Sequence, residues 1–345
     1  MKTDYLLWMA SHTKSQWNND STDHNDIEDA LASGAVGVTS NPPLTYSVLT
    51  EYPELYKEEI DRIDPSLTGD DRIVALIEIV VKRIASRLSE MHAATGGLQG
   101  YVRAQVKPLD GNNAEKMLAV GKTFASFAEN VKVKIPGTKA GIWVLEELAA
   151  LGIPTNPTVC VSISQILATA EANERGRKRA IEAGIAPAES TAAFVMGRLQ
   201  DYLAALNEKH SAGVSVEELE NAMIATTKKL YRTMEERGYH QILMPAAFRC
   251  ARQVTELSGA RVEMTIHPKV QKMINDLDAG KGIDRVEQLN DPIDEEAVAR
   301  VLEALPEFRK AWDIDGLSID EFDDFGATVM TLEGFDQAWQ KLYTL

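Results

Sequence analysis

Eight short runs with strand character recur along the chain, separated by longer stretches with helical periodicity. The strand candidates are 5–10 (YLLWMA), 35–40 (AVGVTS), 100–106 (GYVRAQV), 131–135 (VKVKI), 153–161 (IPTNPTVCV), 191–197 (TAAFVMG), 240–246 (HQILMPA) and 262–266 (VEMTI). Helical patterns occupy 71–91, 114–130, 141–152 and 216–238 between them. Alternation of this kind implies parallel strands joined by crossover helices. Eight such units predict a (β/α)8 TIM barrel. A doubly wound sheet is the alternative, but the chain has no GxGxxG or GxxxxGK[ST] loop to support a nucleotide site there. Residues 172–190 read as an extra charged helix and turn before the sixth strand. The chain, 1–345, reads as one domain. Its barrel core spans about 1–275, and an acidic helical region over about 276–345 is expected to pack against the barrel's outside.

Composition narrows the function classes. With 36 Lys and Arg against 52 Asp and Glu, the formal net charge is −16. An acidic surface argues against nucleic acid and against anionic membranes as partners. The longest apolar run, 73–81, is interrupted by Glu78 and is far too short to span a bilayer. The start, MKTDYLLWMASHT, makes a poor secretory signal. Cys160 and Cys250 lack any CxxC partner, which points to a reducing compartment rather than a disulfide framework or thiolate zinc site. The expected location is cytoplasmic.

Two lysines on the fourth strand raise the functional question. Side chains alternate along a strand, so Val131, Val133 and Ile135 share one face and Lys132 and Lys134 the other. Buried amines are costly unless they have a partner or a chemical role. The same rule sets Tyr101, Arg103 and Gln105 opposite Val102, Ala104 and Val106, and sets Glu263, Thr265 and His267 opposite Val262, Met264 and Ile266. Asn156, Thr158 and Cys160 share a face of the fifth strand, and Thr39 and Asn41 a side of the second. A purely structural barrel fills these layers with Val, Ile and Leu. Taken singly, a strand-end lysine is usually a surface lysine with its stem tucked in, and Gln105, Asn156, Thr158, Arg198, Arg249 and His267 each have an ordinary structural reading. Their convergence is the signal. A metal site does not follow: 313–324 resembles an EF-hand loop, but with Gly316 in sixth place the first and twelfth positions are Ala311 and Phe322, without the needed carboxylates. HExxH is absent.

The stretches GVTSNPPL (37–44), VKIPGTKAG (133–141), IPTNPTVCVSISQ (153–165), MGRLQDY (196–202), MPAAFR (244–249) and MTIHP (264–268) resemble, in order, those of the transaldolases, class I Schiff-base enzymes on a (β/α)8 barrel. The resemblance covers roughly 1–275. It implies Lys134 as the Schiff-base lysine, Thr39 and Asn41 as donor-sugar contacts, Asn156 and Thr158 as the pair holding donor hydroxyls and a catalytic water, and Arg198 and Arg249 as phosphate-binding arginines. It implies sugar-phosphate substrates and, by analogy, is compatible with a homo-oligomer. No metal or organic cofactor is implied, because the imine itself stabilises the carbanion. The chemistry agrees: imine formation needs an uncharged amine, and desolvation beside other cations lowers a lysine pKa. Lys132 is expected either to act as such a neighbour or to pair with an inward carboxylate.

The chain also departs from the family. The strand-one Asp aligns with Ala10, the strand-three Glu with Gln105, and two serines of the phosphate site with Ala247 and Ala193. Gln105 is similar to the related fructose-6-phosphate aldolases, but the tyrosine those enzymes carry on strand six is here Val195. An amide cannot exchange protons usefully near neutral pH, so another group must. His267 is the first candidate, His12 the second and Asp20 the third. Three readings follow: transfer of a dihydroxyacetone unit from a ketose phosphate to an aldose phosphate; an aldolase-type lyase; and a barrel that binds sugar phosphates without catalysis.

Overall fold

A computed structural model describes residues 4–108 and 113–345. Eight parallel strands form the centre: β1 Gln16–Asn19, β2 Gly37–Thr39, β3 Tyr101–Gln105, β4 Val131–Pro136, β5 Thr155–Thr158, β6 Thr191–Phe194, β7 Ile242–Pro245 and β8 Glu263–Ile266. Six run in the order β5-β4-β3-β2-β1-β8, with β6 and β7 paired beside them. Bridges Thr155–Ser190, Cys160–Phe194 and Leu243–Val262 join that pair to β5 and β8, closing the curled sheet into an α/β barrel.

Helices α1 Tyr5–His12, α2 His24–Ala32, α3 Pro42–Glu51, α4 Pro53–Ile60 and α5 Gly69–Ala94 come before β3. Next come α6 Ala114–Ala125, α7 Lys139–Ala150, α8 Ile163–Glu182, α9 Met196–His210, α10 Val216–Glu236, α11 Ala251–Thr255 and α12 Pro268–Gly280. Three more, α13 Glu295–Ala304, α14 Arg309–Trp312 and α15 Gly326–Leu342, follow the barrel. None of the described helices is long and apolar enough to cross a membrane.

The strand faces divide as the alternation predicts. Val102, Ala104, Val131, Val133 and Ile135 pack outward into one apolar cluster with Leu76, Val80 and Ile84 of α5 and Leu145 and Leu148 of α7. Arg103, Gln105, Lys132 and Lys134 are buried inside the barrel. The β3–β4 register sets Arg103 beside Lys132 and Gln105 beside Lys134.

Three expectations are corrected. Residues 5–10 form no strand; they lie in α1, whose Asp4 carboxylate accepts from Leu7 N. Its buried Tyr5, Leu6 and Met9 follow helical spacing, and the first strand is Gln16–Asn19 instead. Residues 172–190 hold no separate helix: they continue α8, which is capped by Ser162, whose hydroxyl accepts from Gln165 N, and then turn into β6. The C-terminal region does not lie wholly on the barrel's outside. Its last helix, α15, packs on α3 and α9, helices that follow β2 and β6, and so reaches the end of the barrel where the strands finish.

Candidate active site

Lys134 lies near the end of β4, almost fully buried. Its Nζ donates to the carbonyl of Ser40, at 3.0 Å, in the turn after β2. That turn is itself fixed, because Ser40 N and Oγ both donate to the Arg103 carbonyl, each at 2.9 Å. Burial pushes the Lys134 amine down to about 8; Asp20 pulls it up and Arg103 pushes it further down. Arg103 is therefore the depressing cation, and Lys132 has a different role. Lys132 donates to Glu189 at 2.5 Å and sits 4.5 Å from the centre of the Tyr101 ring. Pairing with a carboxylate is the outcome that applies.

Beneath Lys134 the charges form closed pairs. Arg103 binds Glu263 in a buried ion pair. Asn18 joins both, donating to Glu263 at 3.0 Å and accepting from Arg103 at 2.7 Å. Burial raises the Glu263 carboxyl, but Arg103 and Lys132 outweigh it and hold the group below the usual carboxylate range.

Above this layer opens a cavity of about 470 Å³. Its lining brings together Asp20, Thr39, Asn41, Lys134, Asn156, Thr158, Arg198, Arg249, Thr265 and His267. Gln105 is not part of that lining. It lies buried beside Lys134, and both atoms of its amide lack a hydrogen-bond partner among the described residues. Asn156, on the other side of Lys134 in the β4–β5 register, donates through Nδ2 to the Thr191 carbonyl at 2.5 Å, while its Oδ1 has no partner among the described residues.

A carboxylate does stand at the end of the first strand. Ala10 sits in α1, whereas Asp20 directly follows β1 and lines the cavity. Thr39 Oγ1 donates to Asp20 at 2.7 Å and lies 2.6 Å from Thr265 Oγ1, so three polar groups from β1, β2 and β8 form one chain. His267 also lines the cavity, but its Nδ1 accepts from Lys269 N at 3.1 Å and caps α12. That leaves Nε2 for other contacts. His12 is exposed at the end of α1, paired with Ser11 and Trp8, and does not line the cavity.

The two arginines differ in their surroundings. Arg249 makes a bidentate pair with Asp201, at 2.9 and 2.5 Å, and donates to the Ala247 carbonyl at 2.7 Å. Ala247 itself has φ 62. Its carbonyl lies where a Cβ on Gly197 would come within 1.7 Å, so this approach of the β7 loop to the start of α9 requires glycine. The Arg198 side chain forms no hydrogen bond or ion pair among the described residues; its guanidinium lies 5.5 Å from the Phe335 ring centre. Ala193, Val195 and Ala247 give the cavity wall no hydroxyl.

The model of the family described as transaldolase/fructose-6-phosphate aldolase matches residues 18–344. The chain belongs to that family. Relatives include "Transaldolase 1" of Streptomyces avermitilis, 30% identical over 210 residues, covering 58% of this chain and 54% of the relative. "Transaldolase" of Frankia alni is 28% identical over 192 residues, covering 53% of this chain and 51% of the relative. "Transaldolase" of Neisseria meningitidis is 28% identical over 183 residues, covering 52% of each. The chain thus matches about half the length of these curated relatives.

Sequence reasoning underweighted Asp20 and missed Asp201, Phe335 and the Ser40 carbonyl. Only Asp20 had a usable signal. Once strand one is placed at QWNN, Asn18 and Asp20 share its inward face by alternation.

Proposed function

We propose that the protein transfers a dihydroxyacetone unit from a ketose phosphate to an aldose phosphate through a Schiff base on Lys134. The carrying observation is the amine itself: buried, held among the described residues by one carbonyl, and lowered to about 8, so that an appreciable fraction is uncharged near neutral pH. Lys134 Nζ attacks the ketose carbonyl carbon, and the carbonyl oxygen leaves as water. Asp20 takes the proton of the C4 hydroxyl; the C3–C4 bond breaks, with its electrons passing into the iminium. An aldose phosphate departs and an enamine stays on Lys134. Attack of that enamine on an acceptor aldehyde, with Asp20 returning the proton, reverses these steps. Thr39 and Thr265 hold Asp20 in place, and His267 stands as the alternative proton carrier through Nε2. Asn41, Asn156 and Thr158 supply polar contacts for the hydroxyls of the donor, while Arg198 and Arg249 take its phosphate.

One observation favours a lyase as the second reading. The Gln105 amide is buried beside Lys134 with both polar atoms unpartnered among the described residues, suited to holding a water near the imine. A water there reprotonates the three-carbon enamine and releases dihydroxyacetone. Product assays with fructose 6-phosphate, with and without erythrose 4-phosphate, decide between them. Transfer predicts turnover only with the acceptor; equal release of glyceraldehyde 3-phosphate without it overturns transfer in favour of the lyase.

A further inference from the structure

The C-terminal helix supplies a residue to the cavity that no motif of the barrel predicts. Phe335 of α15 lines the cavity and is 6% exposed. It clusters with Leu332 of the same helix and with Val159, just beyond β5. Val159 has φ 59, a conformation that β-branched residues rarely adopt. The neighbouring Gln165 donates to the Val159 carbonyl, at 3.4 Å, and to Thr328 Oγ1 of α15, at 3.3 Å. The far end of the helix is moored to Asp70, which accepts from Trp339 Nε1 at 3.1 Å and from Tyr343 OH at 2.5 Å. Lys107 Nζ joins that carboxylate at 3.0 and 3.1 Å. The ring of Phe335 is thus set in place from both ends of α15.

We propose that Phe335 is a specificity-determining residue, which selects for an anionic group on the substrate by holding Arg198 in place without an ion-pair partner among the described residues. This rests on the reading of the cavity as a site for an anionic sugar. A carboxylate orients a guanidinium but also neutralises it, as Asp201 does for Arg249. An aromatic face orients the guanidinium and excludes water from one side while leaving its charge available. The two arginines thereby act differently on a ligand. Arg249 is a fixed, already paired fork, whereas Arg198 feels the carboxylates of Asp201 and Asp20 without an ion pair to either. No carboxylate makes an ion pair with Arg198 among the described residues, and the ring occupies the side from which α15 approaches.

The test uses hexitol 6-phosphate, which has no carbonyl and binds without forming an imine, titrated calorimetrically into the parent, F335A, F335L, F335Y and D70A proteins. In parallel, dihydroxyacetone, which has no anionic group, is trapped with borohydride on Lys134. Expected is a threefold to tenfold weaker affinity for hexitol 6-phosphate in F335A and F335L, near-parent affinity in F335Y, and a smaller loss in D70A. Trapping of dihydroxyacetone stays at the parent level throughout. Parent-like phosphate affinity in folded F335L overturns the proposal. So does an equal loss of dihydroxyacetone trapping, which makes the ring a general wall, or absence of hexitol 6-phosphate binding by the parent. If dihydroxyacetone never labels Lys134 yet the Phe335 effect on hexitol 6-phosphate persists, the Schiff-base reading fails and the anion selection stands.

Discussion

Lys132 and Lys134 lie two residues apart on β4; both point into the barrel and both are buried, yet their surroundings are opposite. Around Lys132, Glu189, Arg103, Glu263 and Asn18 form a layer in which each charge meets a counter-charge. Around Lys134 the polar groups are left with capacity among the described residues: a lysine on a carbonyl, a glutamine amide without partners there, an asparagine oxygen likewise, and above them an arginine against a ring. Unpartnered buried polar groups cost stability; Arg103 Nε in the lower layer is one of them, but those of Gln105 and Asn156 flank Lys134, beside the cavity where a ligand would complete their bonding. The paired layer gives that arrangement a rigid, nearly neutral floor, and Arg103 tunes the amine from below.

The sharpest way to break this comparison is at Asp20. D20N should lower kcat by about a hundredfold to ten-thousandfold, the range expected for loss of a positioned acid–base group, with a smaller change in KM. Steady-state rates with donor and acceptor saturating check it. In the lower layer, E263L strands the Arg103 charge and should cost about 3–5 kcal/mol in urea unfolding. The double variant R103M/E263L should recover most of that loss; simple addition of two losses contradicts the pairing. K134M should stabilise the fold. With the folded amine at about 8 against the ordinary lysine value of 10.5, the unfolded chain binds more protons between those values, so parent stability rises with pH across that window. Burying the charged amine costs up to about 3 kcal/mol below pH 8. K134M gains that amount at pH 7, and the gain disappears between pH 8 and 10.5. Thermal unfolding at several pH values measures it. Smallest is H267N. Asparagine caps a helix well, so stability should change by less than about 1 kcal/mol, and kcat by less than threefold if Asp20 carries the proton. A hundredfold fall in kcat moves that role to His267.

How far the sequence foretold this depends on the residue. The inner face of β3 and β4 was legible because alternation makes Arg103, Gln105, Lys132 and Lys134 conspicuous among Val and Ile. β1 was not, because Gln16–Asn19 contributes only Trp17 to the apolar packing while Asn18 turns inward to charged partners. The greasier stretch 5–10 therefore reads as the strand. That one misplacement hid the Asp20 carboxylate at the end of the first strand. Phe335 was illegible for another reason. The stripe Thr331, Leu332, Phe335, Ala338, Trp339 and Leu342 announces a buried helix face but not which surface it covers, and Asp70, which moors it, lies at the start of α5. Asp201 likewise has no local signal: its partner, Arg249, comes from the loop after β7.

The most direct test of the account is borohydride trapping with fructose 6-phosphate across pH 6 to 10, followed by peptide mapping of 131–139. The account predicts a three-carbon or hexose adduct on Lys134 and none on Lys132, with labelling that rises with pH and is half-maximal near 8, where the Lys134 amine loses its proton. Labelling of Lys132, or no labelling of either lysine in folded protein with this donor and with dihydroxyacetone, contradicts it.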